Sequence, residues 1–327
     1  MKKLLIIVAV LIACIAGAWA FLDQPYAGFQ NETFVTIEHG TGTLDIGRAL
    51  AQAGVIRYPW QLWMERAMHP GSKLQAGEYR FQDAATPAEV FSRIARGDIF
   101  FFEVTVPEGS NMFDIAHILE NAGAMAPEDF LKTAYDPSAI RDLDPNARSL
   151  EGYLFPSTYR LTHSTTPAEF CRQMTAQFRR HWKQLAGQAD VHQAVTLASL
   201  VEKETGVASE RPLIAGVFEN RLKKNMLLQC DPTTIYAALL ENRYRDAIHK
   251  SDLASRNEYN TYQHPGLPPG PIANPGADSI AAALHPAETN FLYFVAKPEG
   301  GGHNFSTDLA SHEKATKAYR KKARKAG

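Results

Sequence analysis

The sequence predicts an α+β fold, and three observations carry that expectation. A strand, polar turn and amphipathic helix occur twice at one fixed offset. Helical stretches with capping signals follow, and between them lies a segment too rich in Pro and Gly for an interior helix or central strand. With 327 residues, 45% of them hydrophobic and 21% charged, the chain can bury one large core or two modest ones.

The elements follow in chain order. Lys2 and Lys3 precede an uncharged apolar run from Leu4 to Leu22. At about 1.5 Å per residue the run nearly matches a bilayer's hydrocarbon core. Residues 4–22 are therefore read as a transmembrane helix, with residues 1–3 cytoplasmic. Two other readings stay open: Ala18-Trp19-Ala20 resembles a signal-peptidase site, and Leu11-Ile12-Ala13-Cys14 a lipoprotein box. All three export the rest of the chain, so the expected place is the periplasmic side of an inner membrane. Residues 23–33 read as a short polar linker.

Residues 35–56 (VTIEHGTGTLDIGRALAQAGVI) and 104–125 (VTVPEGSNMFDIAHILENAGAM) form the repeat. Val35, Thr36, Gly40, Asp45, Ile46, Leu50, Ala53 and Gly54 recur as Val104, Thr105, Gly109, Asp114, Ile115, Leu119, Ala122 and Gly123, all at an offset of 69. Val35 and Ile37 alternate as strand residues, and Leu44, Leu50 and Val55 are expected on one helix side closed by Gly54. In the second copy Ser110 is the expected N-cap, with Phe113, Ile118 and Leu119 supplying apolar surface. Thr86-Pro87 and Thr166-Pro167 each read as a helix start with Pro near the first position. Two related α+β units are expected, at 34–102 and 103–190. The pattern resembles LysM modules, which bind glycans rich in N-acetylglucosamine, and that resemblance implies glycan contact by the first unit.

Charge and cysteines exclude several classes. Formal net charge is -1, yet residues 314–327 carry seven Lys/Arg and no acid, leaving about -8 on the remainder. This basic tail reads as a solvated helix end, or as a contact for an anionic surface. Nothing points to nucleic acid. Cys171 and Cys230, 59 residues apart, form no CxxC, and the histidines form no HExxH. No metal or other cofactor is expected.

The chemistry is expected in residues 191–313. His192 to Thr205 reads as a helix with Val195, Ala198 and Val201 inward, which sets Glu202 at the border between apolar stripe and solvent. Partial burial disfavours a charged carboxylate, as a general acid near neutral pH requires. Glu204, two positions on, points elsewhere. A second helix is expected from Ser209, with Pro212 in its first turn and Leu213, Ile214, Val217 and Leu222 buried. Asp231-Pro232 signals another helix start, with Asp231 as cap and Gln229 and Thr233 beside it as candidate ligand contacts. Within the loop at 258–276, Tyr259, Asn260, Thr261 and Tyr262 offer flat faces and hydrogen-bonding groups for a sugar. Turn chemistry and core packing are the plainer account of the same residues. A short helix at 279–284, a buried strand at 291–296 and His303, with a structural hydrogen bond favoured over a place in the site, complete the region.

These strings together resemble the YceG-like family: ASLVEKET at 198–205, NRL at 220–222, DPT at 231–233, YNTY at 259–262, GLPPGPIANPGADS at 266–279 and SLEGYLFPSTY at 149–159. Cys230 departs from the family, which usually has Thr or Ser there. The resemblance implies a lytic transglycosylase acting on peptidoglycan glycan strands, with Glu202 matching the catalytic Glu and no cofactor. It also implies work beside the peptidoglycan polymerases. Two alternatives remain from the residues alone: a muramidase pairing Glu202 with Asp231, whose carboxyl groups would sit roughly 5 Å or 6.5–9.5 Å apart, and a glycan-binding scaffold without activity.

Overall fold

The computed structural model describes residues 23–185 and 189–326 together with Gly17. The apolar run at 4–22, expected to span a membrane, lies outside the described residues except for Gly17. No helix among the described residues is long and apolar enough to cross a bilayer. The chain divides into two compact units that meet in sequence between Phe101 and Phe102.

The first unit runs β1 (Thr33–Ile37), α1 (Thr43–Gln52), α2 (Pro59–Met68), β2 (Gly77–Phe81) and α3 (Pro87–Arg96). β1 and β2 pair antiparallel with Val35 opposite Tyr79. Strand alternation sends Val35 and Ile37 into a core with Ile46, Leu50, Leu62, Phe81 and Ile94. The α3 start follows its sequence signal: the Thr86 side chain accepts the Glu89 N–H at 3.2 Å, while Glu89 accepts the Thr86 N–H at 2.8 Å. Leu44, expected inward, is 51% exposed, because α1 turns Ile46 and Leu50 to the core instead. The segment expected as a free linker is partly docked: Tyr26 N–H donates to the Ala85 carbonyl and Gly28 N–H to that of Gly54.

The second unit repeats the order with β3 (Phe102–Val106), α4 (Met112–Asn121), α5 (Pro127–Ala134), β4 (Ser157–Leu161) and α6 (Pro167–Leu185). β3 pairs antiparallel with β4. The offset of 69 holds through β3 and α4 and becomes 80 at β4 and α6, because extra chain lies between α5 and β4. That insertion carries Glu151 and Tyr153, both fully buried. The α4 cap is Asn111 rather than Ser110: Asn111 Oδ1 accepts the Phe113 and Asp114 N–H groups, each at 2.9 Å.

Beyond the repeat come α7 (Val191–Glu204), α8 (Arg211–Lys223), α9 (Asp231–Leu240), α10 (Lys250–Leu253), α11 (Ala277–Leu284), the hairpin β5 (Tyr293–Ala296) and β6 (His303–Ser306), and α12 (Leu309–Ala326). α7 is not a one-sided amphipathic helix. Ala194, Val195 and Ala198 pack into the core of the repeat, and Leu197, Leu200 and Val201 into a second core with Ile214, Phe218 and Tyr236. A helix apolar all round belongs in the middle of a unit. α8 starts at Arg211, after a 3-10 turn at Ala208–Glu210, so Ser209 does not cap it. β5 is half-buried rather than a buried strand. Cys171 and Cys230 are free thiols in separate cores.

Asn274 holds the Pro/Gly loop in place. Its Oδ1 accepts the Gly152 and Leu154 N–H groups at 2.8 and 2.9 Å, and its Nδ2 donates to Glu151 Oε1 and the Ser110 carbonyl. Glu151 also accepts the Met112 N–H at 2.9 Å. One fully satisfied buried network thus ties the insertion, the β3–α4 turn and residues 271–276 together.

Candidate active site

The last turn of α7 carries Glu202 and Glu204 into different surroundings. The Glu202 side chain is only 6% exposed; Oε1 lies 3.6 Å from the Arg211 guanidinium and Oε2 accepts the Gly276 N–H at 3.0 Å. Arg211 also faces Glu108 at 3.7 Å and Asp278 at 3.5 Å. Burial and the neighbouring Glu202 charge push the Glu108 carboxyl up, with Arg211 opposing them. The Glu202 carboxylate therefore fastens the loop end at Gly276 and completes an ionic cluster around one buried arginine. It does not stand among the loop side chains expected to accompany it.

Of the seven expected contacts, Gln229, Asp231 and Tyr262 gather around Glu204 instead. A cavity of about 300 Å³ is lined by Glu204, Gln229, Asp231 and Tyr262, with Arg221 and His312 on its wall. Burial pushes the Glu204 carboxyl above its ordinary value of 4.5, and the Asp231 charge adds to that; the Cys230 thiol hydrogen bond, His303 and Arg221 act against it. The Tyr262 hydroxyl donates to Asp231 Oδ1 at 2.5 Å. Gln229 enters the cavity from a left-handed backbone, φ 51°, and its N–H donates to the Thr261 carbonyl at 3.2 Å. A non-Gly residue held there is strained by about 1–3 kcal/mol, which the surrounding fold must sustain.

Four of the seven expected contacts are structural. Thr233 and Thr261 are fully buried, their hydroxyls 2.9 Å apart, and Thr261 Oγ1 also accepts the Cys230 N–H at 3.0 Å. Together they latch the α9 start to the loop. Asn260 is fully buried and donates from Nδ2 to the Asp252, Leu253 and Ser255 carbonyls. Tyr259 packs against Tyr236 with ring centroids 5.1 Å apart. Asp231 is the first residue of α9 and Cys230 its N-cap, so Asp231 does not cap the helix and its carboxylate stays with Tyr262. Asp231 lines the cavity of Glu204, whose lining does not include Glu202.

Sequence reasoning set Glu204 aside, gave Arg221 no role and missed two further contributors. His312 and Thr316, from the start of α12, line the cavity of Glu204. Burial keeps the His312 imidazole below its ordinary pKa, and Nδ1 is buried without a hydrogen-bond partner. A buried polar atom of this kind awaits a water or a bound molecule. No periodicity signals it, because α12 is otherwise solvated and basic. His303, by contrast, is spent on structure: its N–H and Nδ1 pair with Glu210 at 2.8 and 2.7 Å.

A second cavity, of about 540 Å³, opens across the same junction of α7 and α9. Lys203 and Pro232, next in sequence to Glu204 and Asp231, face it together with Asn111, Phe113 and Tyr244. Among the described residues no group of three or more His, Cys, Asp or Glu side chains is arranged to hold a metal ion.

Comparison with known proteins places this geometry in a family. The chain is 31% identical to a Bacillus subtilis protein named endolytic murein transglycosylase, over 87% of this chain and 84% of that one. A Streptococcus pneumoniae protein of the same name is 28% identical over 88% of this chain, which spans 58% of that longer relative. A crystal structure of a YceG-like protein from Listeria monocytogenes matches with a TM-score of 0.56 and 30% identity, covering 88% of this chain and 99% of that one. The model of the YceG-like family matches residues 35–318, so nearly all of both compact units falls within it and the chain belongs to the YceG-like family.

Proposed function

We propose that the protein is an endolytic transglycosylase that cuts peptidoglycan glycan strands without water, with Glu204 as its single acid and base. The observation that carries this reading is the cavity in which a half-buried Glu204 of raised pKa meets Gln229, Asp231, Tyr262 and His312. The names carried by the relatives support the substrate and the reaction type. A protonated Glu204 gives its proton to the glycosidic oxygen between N-acetylmuramic acid and N-acetylglucosamine as the bond to C1 breaks. The resulting carboxylate then takes the proton of the muramyl C6 hydroxyl, whose oxygen closes on C1. The product is a 1,6-anhydromuramyl end, and the catalyst is restored to its starting protonation state.

The side chains divide the work. Arg221 adds positive charge near the carboxylate formed midway. Tyr262 holds Asp231 by a hydrogen bond, which orients rather than frees that carboxylate. An internal cut needs strand on both sides of the scissile bond, and the second cavity beside Lys203 and Pro232 supplies room for it. The β-α-α-β order of the first unit supports the LysM-like reading and glycan contact there. The apolar run at 4–22 supports anchoring in the cytoplasmic membrane with both units outside, where the polymerases that extend these strands work.

Digestion of purified glycan strands, followed by mass analysis of the new ends, tests the proposal. Anhydro ends that fall by about 100-fold or more in Glu204→Gln uphold it. Free reducing ends instead mean hydrolysis, with Asp231 the second carboxylate of the cavity; bound but uncut strands mean a scaffold.

A further inference from the structure

Helix α2 of the first unit is amphipathic in the wrong sense for a soluble surface. Its inward face includes the buried polar side chains of Gln61 and Glu65 beside Leu62, whereas Trp60 and Trp63 are 39% and 53% exposed. Tyr58, at the cap, is 47% exposed and stacks on Trp60 at 5.8 Å. Trp60 and Trp63 are three positions apart and share one helix face. Exposed tryptophans grouped this way mark a surface that meets something apolar.

The chain path says what that is. The apolar run ends at Leu22, and only four residues later Tyr26 is bonded to Ala85, with Gly28 bonded to Gly54. The Arg57 guanidinium lies 5.0 Å over the Tyr26 ring, one residue before Tyr58. The aromatic patch therefore begins beside the point where the chain joins the unit. Four residues, even fully extended, reach only about 14 Å. A unit tethered so closely to a bilayer meets its interface, where Trp and Tyr rings are favoured and Arg reaches the headgroups.

We infer that Tyr58, Trp60 and Trp63 seat the first unit on the lipid interface, so that α2 lies against the membrane that the apolar run enters. The inference rests on residues 4–22 being a membrane span. It is independent of the chemistry at Glu204.

The test uses the full chain in vesicles of phosphatidylcholine and phosphatidylglycerol, with Trp19→Phe and Trp182→Phe so that only Trp60 and Trp63 emit. Vesicles whose acyl chains carry bromine near the headgroup are expected to quench the emission at least about twofold against unbrominated vesicles. Trp60→Ser with Trp63 retained, and the reverse, report each ring separately without loss of both. Emission from both rings at full intensity, in protein that floats with the vesicles, overturns the inference. Quenching relieved by added glycan strands, or emission that responds to glycan and not to bromine, also overturns it, in favour of a sugar-binding face. Protein that fails to float overturns the membrane span and the docking surface together.

Discussion

Glu202 and Glu204 leave the same helix turn two residues apart and meet opposite surroundings. Glu202 is met by a guanidinium and a backbone N–H, partners that fasten its side chain in place. Glu204 is met by desolvation and the Asp231 carboxylate inside a cavity, which favour the protonated form against the opposing Cys230 thiol, His303 and Arg221. The first arrangement holds a loop, and the second belongs to the residue we propose as the acid. Position on an apolar stripe could not separate the two roles; what lies opposite each side chain does.

The most forceful way to sharpen the comparison is through the buried network that holds the loop whose end Glu202 fastens. Burial pushes the Glu151 carboxyl up to about 8, against an ordinary 4.5. A raised folded value means its contribution to stability is full below 4.5 and is lost as pH rises through about 8. Denaturant titrations should show the wild-type protein losing on the order of a few kcal/mol across that window. Glu151→Gln should flatten the slope. An unchanged slope in the variant would assign it to another group.

Next in size is Glu202→Gln, which keeps an acceptor for Gly276 but removes a charge from the Arg211 cluster. Unfolding free energy should fall by about 1–3 kcal/mol, while the rate per folded molecule stays within about threefold of wild type. Loss of turnover without loss of stability would reverse the roles assigned to the two acids. The smallest effect belongs to His312→Ala, which removes the buried imidazole from the Glu204 cavity. KM for glycan strands should rise about tenfold, or about 1.4 kcal/mol, with kcat little changed. A fall in kcat alone would instead put His312 in the chemistry.

Much of the fold could be read from residues because local signals carried it. The repeat register, the Thr-Pro helix starts and the strand alternation of Val35 and Ile37 all reappear in space. The change of offset from 69 to 80 was also present in the sequence, between the Thr-Pro pairs, and it marks the insertion that carries Glu151. The site was harder, since its members come from α7, the α8–α9 turn, the 258–276 loop and α12. Tyr259, Asn260, Thr261 and Thr233 have the composition of a sugar site but spend their polar groups on latching the loop. Polar residue types reveal capacity for hydrogen bonds; only burial and partners reveal whether that capacity is already used. Leu44 failed for a related reason, as a helix face is chosen by what packs against it.

The pH dependence of kcat/KM for anhydro-end formation, measured on the wild-type protein and on Glu202→Gln, tests the role of Glu204 most directly. The acid must be protonated in the free enzyme, so the rate falls as pH rises through its pKa. The account predicts a descending limb above 4.5 in both proteins. A limb at the ordinary carboxyl value, or one that moves or vanishes with Glu202→Gln, would contradict it.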